Sequence, residues 1–146
     1  TEVRKALVQN QLSLVSQMLG RRYSISGRVS HGRKIGRTLG FPTANVPLKR
    51  NVSPISGVYI VEVYGVNDSP IGGVANIGHR PTVNGKKQQL EVHLFDFNAD
   101  LYGKQIEIVL LSKLRDEKKF ESFELLKQQI KLDAEAARVW LRQLER

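Results

Sequence analysis

Apolar and polar residues alternate in five short runs, 23–29, 57–64, 71–77, 89–95 and 105–111, and no helical spacing separates them. Alternation places every second side chain on one face of an extended strand. Parallel strands would need crossovers of a dozen or more residues, usually helical. Instead Asn67-Asp68-Ser69-Pro70 makes the second and third runs a hairpin, and Asn84-Gly85 is a turn signal before the fourth. Antiparallel strands at this spacing predict a mainly β fold, a small closed or partly closed barrel.

Both flanks change period. Thr1 is a candidate N-cap, and Val3, Leu7, Leu14, Val15 and Met18 recur at roughly helical spacing before Gly20, with Asn10-Gln11 as a point of division. From Ser122 a 3.6-residue period sets Phe123, Leu126, Ile130, Ala137, Trp140 and Leu144 on one stripe, with Glu and Lys opposite. A break near Lys131-Leu132 would let Asp133 cap a second helix.

At 146 residues the chain is long enough to bury a core in one domain, with room for an appendage. It has no cysteine, which excludes disulfide staples and thiolate metal sites. No apolar run approaches the roughly 20 residues of a membrane span, and Thr1-Glu2-Val3-Arg4 does not open a signal peptide. The expectation is a soluble cytoplasmic protein, without a membrane partner. A net charge of +9 suits either nucleic acid or a polyanionic nucleotide. Few aromatics interleave with the basic residues, which counts against a single-strand binder.

The long connection between Val29 and Gly57 has little strand pattern of its own. Its prolines, with Phe41, Val46 and Leu48, argue for a functional segment over a disordered one. It holds Gly32, Gly36 and Gly40, whose N–H groups can turn toward anions, together with Arg33, Lys34 and Arg37. The spacing is neither a P-loop nor a dinucleotide fingerprint. Pro42 stiffens the chain around it, so Thr43 and Asn45 point the same way along an extended run. A hydroxyl and an amide beside a phosphate loop suggest a metal-nucleotide site; local backbone capping is the competing reading.

In Gln89-Leu90-Glu91-Val92-His93-Leu94-Phe95 the leucines and Val92 face the core, leaving Glu91, His93 and Phe95 on the other face. Glu91 can take a hydroxyl proton if it lies within reach, or it can simply pair with a cation across the strands. His31, His79 and His93 lack metal-ligand spacing, and Asp96 fits a turn over 96–100. Arg80, in Asn76-Ile77-Gly78-His79-Arg80-Pro81-Thr82, suits a phosphate or a structural bridge. Leu114-Arg115-Asp116-Glu117-Lys118-Lys119-Phe120 suits a lid over a flat ring, or a solvated loop with Phe120 as a helix staple.

Together these segments resemble bacterial riboflavin kinase, the C-terminal module of bifunctional riboflavin kinase/FAD synthetases. The motifs are Gly36-Arg37-Thr38-Leu39-Gly40-Phe41-Pro42-Thr43-Ala44-Asn45, Gly57-Val58-Tyr59, the stretch from Asn76 to Thr82, Glu91 to Phe97, Leu101-Tyr102-Gly103 and Leu114 to Phe120. The resemblance covers residues 20 to about 140. It implies a six-stranded Greek-key barrel, about 20–113, with C-terminal helices, about 121–144, in a kinase domain at 20–146. It also implies transfer of the γ-phosphoryl of MgATP to the 5′-hydroxyl of riboflavin, giving FMN, in an ATP:riboflavin 5′-phosphotransferase.

By the same resemblance Thr43 and Asn45 are the metal and phosphate ligands, with Mg²⁺ as the ion. Glu91 deprotonates the ribityl hydroxyl. Gly32, Lys34, Gly36, Arg37 and Gly40 belong to the ATP-binding flap, and Arg115 and Phe120 to the segment over the flavin. Thr1-Glu2-Val3-Arg4 resembles the end of the adenylyltransferase module's signature, so residues 1–19 are read as a helical linker left from that module. FAD synthesis is not expected of this chain alone. The alternative from another class is a non-catalytic basic barrel that binds nucleic acid.

Overall fold

The computed structural model describes residues 12, 22–30, 43–48, 55–82, 85–97 and 99–144. Among the described residues the named elements are six strands and one helix: β1 (Ser24–Arg28), β2 (Thr43–Pro47), β3 (Gly57–Tyr64), β4 (Ile71–Thr82), β5 (Gly85–Leu94), β6 (Gln105–Arg115) and α1 (Phe123–Arg142). They make one antiparallel sheet in the order β1-β6-β3-β4-β5-β2. The two edges meet just beyond β1, where Ser30 bridges Asn45 of β2 and its N–H donates to the Asn45 carbonyl at 2.8 Å. The sheet is thereby curled into a nearly closed barrel, as the alternation predicts.

Inside lie Val46, Tyr59, Val61, Val63, Ala75, Ile77, Leu90, Val92, Ile106 and Ile108, all essentially without solvent exposure. Leu12 packs against this cluster; the rest of the proposed helical segment at 1–19 lies outside the described residues. A second cluster forms on the outer face, where Ala134, Ala137, Trp140 and Leu141 of α1 meet Ile60, Val74, Phe95 and Leu111. The approach is close. A Cβ on Gly72 would stand 2.6 Å from Leu141 Cδ1, so glycine there leaves room for the leucine of the helix.

Two expectations are corrected. The segment between Val29 and Gly57 contains a strand, β2, and C-terminal helices in the plural are replaced by one continuous helix. Ser122 caps α1, its hydroxyl accepting from the Leu125 N–H at 3.2 Å. Asp133 caps nothing: it lies mid-helix and buried, its carboxylate held by Arg115 and by Gln129 one turn earlier. With its oxygens engaged by side chains, it no longer competes for the helix backbone. Phe123, placed on the apolar stripe by periodicity, is 60% exposed.

Asp96 does fix a turn. It adopts a left-handed φ of 56°, and Arg138 donates to both its oxygens while stacking 4.3 Å above the Phe95 ring. That hydrogen-bonded guanidinium lowers the Asp96 pKa from its ordinary value. Among the described residues no helix is long and apolar enough to cross a membrane.

Tyr59 gives the barrel an alkaline limit. Its ring is buried and its hydroxyl donates to the Ser56 carbonyl at 3.2 Å. Burial, followed by the charge of Asp116 and by Tyr23, pushes its pKa from 10.0 up to about 12. A raised pKa means that the folded state keeps a proton the unfolded state has lost, so this stabilisation is complete below pH 10 and disappears as pH rises toward 12. Denaturant titrations of wild type and Tyr59→Phe across that window should show a steeper loss in wild type. Parallel slopes would contradict it.

Candidate active site

The site grows from the face of β5 that does not enter the core. Leu90, Val92 and Leu94 point inward, which turns Glu91, His93 and Phe95 outward. Phe95 is covered by α1, and the His93 ring meets it edge-on at 5.6 Å. Glu91 lies beyond that cover. Register then supplies its neighbours: β2 sets Asn45 opposite Glu91, and β4 sets Asn76 opposite Glu91 from the other side. Directly opposed residues of antiparallel strands share a face at about 5 Å. Asn45, Glu91 and Asn76 therefore form one polar row on the outer wall, with Thr43 and His93 paired in the next row.

Asn45 is nearly buried and held at both ends of its amide. Its oxygen accepts from Gln89 Nε2, and its Nδ2 donates to the Ser30 hydroxyl at 3.3 Å. Both partners are side chains from elsewhere in the barrel, not the neighbouring backbone groups of the capping reading, and they fix Asn45 beside Glu91. Thr43 is exposed. Gly32, Lys34, Gly36, Arg37 and Gly40 lie outside the described residues, as do His31 and the side chains of His79 and Arg80.

Arg115 ends β6 and faces α1. Its Nε donates to both oxygens of Asp133 at 3.1 Å, Nη2 donates to Oδ2 at 2.8 Å, and Nη1 donates to the Asp116 carbonyl at 3.1 Å. The guanidinium also lies 5.8 Å from the centre of the Phe120 ring, and Lys118 Nζ lies 5.7 Å from it. Arg115 and Phe120 are brought together, but the arginine is committed chiefly to the helix. Lys113 anchors the start of the same connection through Asp116 at 2.6 Å, and that hydrogen bond lowers the Asp116 pKa from its ordinary value.

Sequence reasoning did not single out Asn76, Glu117 or the partnership of Asp133. A signal for Asn76 existed. Asn84-Gly85 is a turn signal in the sequence, β4 pairs with β5 from Thr82 and Gly85 onward, and counting outward from that pair brings Asn76 level with Glu91.

No cluster of three or more His, Cys, Asp or Glu suited to a metal occurs among the described residues. The available donors are the Thr43 hydroxyl and the Asn45 amide oxygen, already approached by Gln89. Hard oxygen donors in so small a number fit a divalent cation held mainly by phosphates and water, not a protein cage.

A family model for riboflavin kinase, the flavokinase family, matches residues 19–141. The chain belongs to the riboflavin kinase family. It is 56% identical over 138 residues to the bifunctional riboflavin kinase/FMN adenylyltransferase of Escherichia coli, covering 94% of this chain and 44% of that protein. The Haemophilus influenzae protein of the same name is 51% identical over 140 residues, covering 96% and 46%. The chain thus spans less than half the length of these curated relatives.

Among solved structures, riboflavin kinase from Trypanosoma brucei superposes with a TM-score of 0.58 at 26% identity, over 82% of this chain and 80% of that one. A Streptococcus pneumoniae chain described as a macrolide-efflux protein gives a TM-score of 0.84 at 35% identity, over 94% of this chain and 45% of its own length. The riboflavin kinase barrel expected from the motifs is the fold observed.

Proposed function

We propose that this chain transfers the γ-phosphoryl group of ATP to the 5′-hydroxyl of riboflavin, producing FMN and ADP. The observation that carries the reading is the outer-wall row in which Glu91 stands between Asn45 and Asn76. A carboxylate at such a position accepts the proton of the attacking hydroxyl. The bond from the ribityl oxygen to the γ-phosphorus forms as the bond from that phosphorus to the β,γ-bridging oxygen breaks. ADP departs with the bonding electrons and the proton remains on Glu91.

Phosphoryl transfer depends mostly on positioning and charge stabilisation. Asn45, pinned by Ser30 and Gln89, fixes the nucleotide side of Glu91. Gly32, Lys34, Gly36, Arg37 and Gly40 supply N–H groups and cations to the phosphates. Thr43, with Asn45 beside it, holds the divalent ion, Mg²⁺ in this reading, which when bound offsets phosphate charge. Phe120 offers a flat face to the isoalloxazine, and Arg115 sets the segment that carries it. We assign no adenylyl transfer to residues 20–146; that activity belongs with the adenylyltransferase module of the bifunctional relatives. A cytoplasmic location, where ATP is plentiful, accords with this reading.

Incubation of the purified chain with riboflavin, ATP and Mg²⁺ should yield FMN and ADP in equal amounts by chromatography. Chelation of the divalent ion should stop both. Absence of FMN under these conditions would overturn the assignment.

A further inference from the structure

The row containing Glu91 has a third polar member with no function yet attached. Asn76 is exposed on the outer face of β4, between the buried Ala75 and Ile77. Two residues on, along the same face, Gly78 forms the seat of Glu117. A Cβ built on Gly78 would stand 2.9 Å from Glu117 Cδ and 3.1 Å from Oε1, with Oε2 nearer still. The backbone of Gly78 is not left-handed, so glycine serves there by leaving space. Glu117 reaches this seat because the chain leaves β6 at Arg115, is tied down by Asp133 and Lys113, and crosses back over β4.

The wall is therefore polar on both sides of Glu91, and the two sides differ. Asn45 adjoins the segment that bears the phosphate-binding residues. Asn76, with Glu117 beside Gly78 on the same strand, stands on the opposite side of Glu91 from Asn45. An amide both donates and accepts hydrogen bonds, and a carboxylate accepts only. Neighbouring hydroxyls on an acyclic chain offer both donors and acceptors, which this pair complements.

We propose, on the reading of Glu91 as the proton acceptor, that Asn76 and Glu117 form the subsite that grips the polyol chain of the acceptor. They determine which hydroxyl reaches Glu91. A flexible chain presents one hydroxyl reproducibly only when its other hydroxyls are held, and each hold must outweigh the rotational freedom lost.

The test compares riboflavin with a flavin analogue carrying a hydroxyethyl chain in place of the ribityl chain. Asn76→Ala should lower kcat/KM for riboflavin about tenfold, mostly through KM, the size expected for one lost hydrogen bond with its partner left unpaired. It should leave the analogue and the KM for ATP unchanged. Gly78→Ala, by unseating Glu117, should act in the same direction, and should add nothing in a Glu117→Ala background. Equal losses on both flavins, or an unchanged preference between them, would overturn the proposal. If wild type turns over neither flavin, the kinase reading fails by itself. The subsite is still decided by the ratio of the two flavin affinities, read by fluorescence quenching in wild type and Asn76→Ala.

Discussion

Glu91→Ala is expected to reduce kcat for FMN formation by about a thousandfold, within the range lost when a positioned general base is removed. Glu91→Gln should lose nearly as much, because it keeps the size and polarity of the side chain but cannot take a proton. Neither change should disturb the fold. The strand is anchored by its inward neighbours Leu90 and Val92, both fully buried, whereas Glu91 lies on the opposite face. Affinity for MgADP and the melting temperature should therefore stay near wild type, which separates loss of chemistry from loss of structure. Turnover within threefold of wild type in either variant would remove Glu91 from the mechanism.

The largest expected stability effect lies away from the chemistry, at Asp133. Its side chain is 9% exposed and meets an Arg115 that is 23% exposed, through a bidentate pair reinforced by Gln129 at 2.9 Å. Removing one partner of a fully buried pair costs about 3–5 kcal/mol, because the remaining charge is stranded. Arg115 keeps some access to water, so Asp133→Ala should cost about 2 kcal/mol. That corresponds to a fall of about 5–8 °C in Tm for a chain of this size. Arg115→Ala made in the Asp133→Ala background should cost much less than in wild type, as residues of one network are not additive. A Tm within about 1 °C of wild type, on the same scale, would show that the pair contributes little.

These two residues mark the boundary of what local sequence reveals. Glu91 is legible because strict alternation around it assigns a face without knowledge of any other strand. Asp133 is misread because its isolated chemistry is that of a cap. Its actual partner lies 18 residues earlier, at the end of another element. The pairing of strand β2, which the sequence shows only as an extended run, is hidden for a related reason. Thr43-Ala44-Asn45-Val46-Pro47 is short and contains weak strand formers, and it is extended because β5 pairs with it. The row of Asn45, Glu91 and Asn76 is a property of register across three strands. Only the Asn76 half of it could be counted out from a turn.

The Ser30–Asn45 bridge has a consequence for how this family can vary. The chain between these two residues begins and ends at one place on the barrel wall, so its endpoints are tied independently of its contents. Lengthening such an excursion changes only its closure entropy, about 0.6 kcal/mol for each doubling. The barrel can therefore tolerate insertions and deletions between these two residues while the register of Asn45 against Glu91 stays constant. Such changes of length would leave the pairing that sets Asn45 opposite Glu91 in place.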